Sequence, residues 1–142
     1  MHAISASTND STISTTYVNT NTVLTFTSTK SNILVSFTMS GYTDPSLGPD
    51  IQSVSARIVM DAATTNTSIG GTSTSGLSAD AIGDLDGDFN LCFSKLVTGV
   101  TPGVHTFTLQ WLVTPVATPT MIHSPAGSFS NFYHRTISAM EF

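Results

Sequence analysis

The chain is 142 residues long, with a net charge of −5 and only four Lys and Arg. That length suits one domain with one real core, and so few scattered cations exclude a phosphate-neutralising patch and an anionic-membrane footprint. Ser and Thr number 44, yet apolar residues still make up 39%, so the chain can bury a core and reads as a folded β protein with a neutral polar surface.

The first 14 residues are polar and read as an arm or loose lead-in, with the β-sandwich domain expected over 15–142. Met1-His2-Ala3-Ile4-Ser5 has neither a basic nor an apolar signal region, and no apolar run is long enough for a membrane span. Synthesis in a cytoplasm is therefore expected. A short first strand is expected at 15–19. A hairpin follows, from 22–28 (Leu24 and Phe26 on one face) into 33–40 (Ile33, Val35, Phe37 and Met39 on one face), through the polar turn Thr29-Lys30-Ser31-Asn32.

Two prolines and two glycines mark 41–50 as a loop. Residues 52–60 alternate Val54, Ala56, Ile58 and Met60 against Ser53, Ser55, Arg57 and Val59, predicting a strand. The weakly patterned stretch 61–87 is too long for a plain loop, so a short strand is expected near 67–69. Strands follow at 89–97 (Phe89, Leu91 and Phe93 on one face) and 104–113 (Phe107, Leu109, Trp111 and Val113 inward). Three prolines make 114–133 mostly loop, with a short strand at 120–123, and the last strand is 134–142. No stretch has a helical period. About eight short strands predict a single antiparallel β-sandwich or jelly roll.

Candidate chemistry is sparse. Asp84, Asp86 and Asp88 alternate around Gly87 like the start of a calcium loop, but Phe89 and Lys95 occupy positions where such a loop needs glycine and a bidentate acid. A solvated acidic turn is the expected reading. His2, His105, His123 and His134 form no local metal pair; His105 is expected to brace the backbone beside Pro102-Gly103. Cys92 has no intrachain partner and is expected to be a small buried hydrophobe. There is no nucleophile elbow and no P-loop, and Asp44, Asp50, Asp61, Asp80 and Glu141 are scattered. No catalytic, cofactor-binding or metal-binding residue is assigned, and no enzymatic activity is expected. Tyr42, Phe129, Phe132 and Tyr133 lie in or beside loops, where aromatics either tuck over the sandwich end, stack on sugars or anchor a subunit contact.

Gly103, His105, Thr106, Leu109 and Trp111, followed by Arg135, Ile137 and Glu141, resemble a strand pair of small jelly-roll modules in tailed-bacteriophage virion proteins. The strand end Ile58-Val59-Met60-Asp61 also fits, although Ala62 replaces the glycine that often follows the Asp. The resemblance covers about the last 50 residues firmly. It implies a non-enzymatic virion structural protein: a capsid decoration (cement) subunit bound to the major capsid protein on the outer shell surface, as a homotrimer, without nucleic-acid or membrane partners. A receptor- or carbohydrate-binding module of a fibre tip is the alternative it implies.

Overall fold

The structure is a computed structural model that describes residues 2–5, 10–12, 14–43, 51–64, 67–73, 89–115, 122–124 and 135–142. In chain order the strands are β1 (His2–Ser5), β2 (Asp10–Thr12), β3 (Val18–Ser28), β4 (Ile33–Thr43), β5 (Ile51–Met60), β6 (Thr67–Ser73), β7 (Phe89–Val97), β8 (Gly103–Pro115), β9 (Ile122–Ser124) and β10 (Arg135–Glu141).

They form two antiparallel sheets. In the first, β1, β10, β4, β9 and β2 follow in order and β7 pairs with β4; in the second the order is β3-β8-β5-β6. Without the short β2 and β9, eight strands remain as β1-β10-β4-β7 against β3-β8-β5-β6. The chain changes sheet at each step among them except in the β5–β6 hairpin. That is the winding of a jelly roll.

Alternation drives the packing, because every second side chain of a strand points to the same face. Val35, Phe37 and Met39 of β4 and Ile137 of β10 meet Val54, Ala56 and Ile58 of β5 and Phe107, Leu109, Trp111 and Val113 of β8 in one buried cluster. β4 and β8 are the central strands, each paired along its length on both sides.

β3 departs from expectation. One strand of 11 residues replaces the two expected pieces, and an irregularity between Asn19 and Val23 resets its pairing with β8. Thr20, Thr22 and Ser28 are buried along with Leu24, so hydroxyls occupy inward positions. Within the segment expected to be a loose arm, β1 pairs with β10 and β2 with β9, adding backbone hydrogen bonds to the first sheet. β4 runs on to Thr43, three residues into the expected loop.

Cys92 corrects one expectation: it is exposed. Phe89 and Leu91 are buried on β7, so strand parity sends Cys92 to the outer face, and parity outranks the apolar character of its thiol.

Candidate functional site

Asp61 directly follows β5, with φ at 52°, a left-handed conformation that Asp tolerates better than most residues. Its amide donates to the Thr106 carbonyl (2.7 Å), while its Oδ1 accepts from the Thr106 amide (2.9 Å). This seats the carboxylate against β8, where Oδ2 lies 2.8 Å from Nδ1 of His105. On the far side of the ring, Nε2 lies 2.8 Å from the Thr101 carbonyl.

A carboxylate and a carbonyl can only accept, so both ring nitrogens must carry a proton to satisfy both. The geometry therefore selects imidazolium. The Asp61 bond, then the Thr101 bond, raise the His105 pKa above its ordinary value against the opposing effect of burial. Burial pushes the Asp61 carboxyl up, but its bonds to His105 and Thr106 outweigh that and leave it lowered. Both nitrogens are held by structural acceptors. The ring braces the turn before β8 to the end of β5, a link that joins residues 44 apart in sequence.

Two other polar side chains bind the sandwich together. Arg135 of β10 is buried beneath the second sheet: its Nε donates to Thr22 Oγ1 (3.2 Å), its Nη2 to Asn21 Oδ1 (2.8 Å), and its guanidinium carbon lies 5.8 Å from the centre of the Trp111 ring. Glu141 accepts from the Thr29 amide (2.8 Å) and the Lys30 amide (3.3 Å), closing the β3–β4 turn, and the Thr29 amide is the main cause of its lowered pKa.

The outer face of the first sheet is of a different kind. Register places Met140, Leu34 and Leu96 in one row, Ser138, Ser36 and Ser94 in the next, and Thr136, Thr38 and Cys92 in a third. None of these nine carries a charge. Ser94 donates to Ser36 (2.7 Å), and Thr38 and Thr136 share a hydrogen bond of the same length. The row of Met140, Leu34 and Leu96 gives one end an apolar margin, with Leu96 half exposed.

The outer face of the second sheet carries Arg57, since Ala56 and Ile58 on either side are buried. Its Nε donates to Gln110 Oε1 (2.8 Å), and Gln110 Nε2 in turn donates to Asn19 Oδ1 (2.7 Å). The guanidinium carbon lies 4.0 Å from the centre of the Tyr17 ring. Beside it is an open depression of about 310 Å³, with Ser55, Ser68 and Thr72 on its walls.

Of the groups singled out in the sequence, Asp84, Asp86 and Asp88, His134, Phe129, Phe132 and Tyr133 lie outside the described residues. Trp111 is fully buried in the core. His105 does brace the backbone before β8, as expected. Its partner Asp61 stood among the scattered acids, because only the pairing of β5 with β8, with Met60 opposite Phe107, brings the two together. No three His, Cys, Asp or Glu side chains gather as a metal site among the described residues. No protein-family model matches the chain, and no curated protein matches it either.

Proposed function

We propose that the protein is a non-catalytic virion structural protein, a capsid decoration (cement) subunit that binds the major capsid protein on the outer surface of an icosahedral shell and acts as a homotrimer. The observation that carries this reading is the uncharged outer face of the first sheet. Docking such a face removes no ions from water, which is the costliest step in burying a protein surface. Hydroxyls donate and accept in turn, so the Ser and Thr rows can satisfy a partner's backbone or side chains, while Met140, Leu34 and Leu96 supply apolar contact. Contact of this kind depends little on salt.

The resemblance to phage jelly-roll modules supports the same reading. Its residues hold the fold: His105 braces a turn, Trp111 fills the core, Arg135 spans the sheets and Glu141 closes a turn. Function by mass action follows, since a subunit that binds only the closed shell stabilises it by RT ln(1 + c/Kd) per site, where c is the free subunit concentration. Co-sedimentation with shells that lack the subunit tests this, with saturation and persistence at high salt as the expected result.

The depression beside Arg57 favours a second reading, a receptor- or carbohydrate-binding module of a fibre tip. Failure to bind shells together with binding to cells or glycans selects it.

A further inference from the structure

Arg57 is held in place before any ligand arrives. Gln110, more than nine-tenths buried, fixes its Nε, and Asn19 fixes Gln110 from the other side. Tyr17 supports the guanidinium plane by stacking on it. With Nε engaged, the paired Nη groups form the other edge of the guanidinium, the fork that matches a carboxylate with two parallel hydrogen bonds. Asp61 and Glu141, the carboxylates whose side chains are described, are engaged elsewhere, by His105 and by the Thr29 and Lys30 amides.

The surroundings add a second kind of chemistry. The walls of the depression carry the hydroxyls of Ser55, Ser68 and Thr72, and its volume of about 310 Å³ is of monosaccharide size. Gly70 and Gly71 line it too, so part of its wall is bare backbone. A preorganised cation beside neutral hydroxyls suits a ligand with one carboxylate and several alcohols. We propose that this depression binds an acidic monosaccharide unit, a uronic or sialic acid, with Arg57 gripping the carboxylate and the Ser and Thr hydroxyls meeting the sugar hydroxyls.

The site lies on the opposite side of the sandwich from the uncharged face, and the proposal does not rest on the decoration reading. A sugar bound to the free protein leaves the question of shell binding open, and loss of shell binding leaves this site intact.

The test is a titration of the intact, isotopically labelled protein with glucuronate and N-acetylneuraminate, followed by amide NMR, with glucose and acetate as controls. At least one acidic sugar is expected to shift the amides of Tyr17, Gly70 and Gly71 saturably, at least roughly tenfold more tightly than glucose or acetate. Arg57→Gln is expected to weaken that binding by at least roughly tenfold, and Lys30→Ala to leave it unchanged. Ser68→Ala alters only an exposed wall residue and is expected to weaken binding severalfold, which covers the case in which Arg57→Gln does not fold. Acetate binding as tightly as both acidic sugars overturns the sugar assignment. Absence of saturable shifts with either sugar, or shifts unchanged by Arg57→Gln and Ser68→Ala, overturns the site.

Discussion

His105 and Asp61 form a 2.8 Å ion pair whose histidine is also held on its other nitrogen by the Thr101 carbonyl. The pair links folding to pH with a sign set by both partners. A raised His105 pKa contributes stability that is complete below the unfolded value of about 6.5 and is lost as pH rises through the higher folded value. A lowered Asp61 pKa contributes stability that is complete above about 3.8 and is lost as pH falls through the folded value. The two describe one interaction seen from either end, so the pair is at full strength between about pH 4 and 6.5. Melting temperature is expected to fall from pH 6 to pH 9, and His105→Gln to flatten that slope at a cost of about 1–2 kcal/mol at pH 6. An NMR titration placing the His105 pKa at or below 6.5 contradicts this account.

Arg135 offers a second test, because it ties the first sheet to β3 of the second. Met in its place keeps the apolar stem but loses the bonds to Thr22 and Asn21. Lys has a single ammonium that cannot reproduce the planar fork. Both Arg135→Met and Arg135→Lys are expected to cost about 2–4 kcal/mol in urea unfolding. Losses below about 0.5 kcal/mol contradict the bridging role.

The glycines of β6 separate packing from backbone freedom. A Cβ on Gly70 meets Phe93 Cζ at 2.7 Å, and φ there is +145°; a Cβ on Gly71 runs into the Ala56 carbonyl, which cannot swing away. Gly99 has φ at +72° and open space around it. Gly70→Ala and Gly71→Ala are therefore expected to cost about 2–3 kcal/mol each, and Gly99→Ala about 1 kcal/mol, in chemical denaturation. Equal losses at all three positions contradict the argument from crowding.

Much of the sandwich was legible because the centres of β4 and β8, 35–40 and 106–111, alternate apolar with polar residues, so the inward places of Phe37, Phe107 and Trp111 follow from period two alone. β3 was harder. Its irregularity resets the register and its inward Thr20 and Thr22 look like surface residues. β1 and β2 are too short, at four and three residues, to show a period, and their partners lie more than 100 residues away. The site residues were legible singly but not as groups. His105 and Asp61, or Arg57 and Tyr17, meet only through strand pairing and chain path that no local spacing encodes.

Cys92 turns the corrected reading into a probe. It stands exposed in the row with Thr38 and Thr136, so a thiol reagent is expected to label the free native protein at the rate of an unhindered thiol. Labelling that waits for unfolding contradicts the outward placement.

The central claim is that the uncharged outer face of the first sheet is a docking face for a capsid shell. Co-sedimentation of the protein with shells lacking it, beside the variant Ser94→Lys that places one charge at an exposed position on that face, tests it most directly. The account predicts saturable binding that persists in high salt, protection of Cys92 on the shell, and at least about tenfold weaker binding by a folded Ser94→Lys protein. Absence of shell binding, or equal binding by Ser94→Lys with Cys92 still freely labelled, contradicts it.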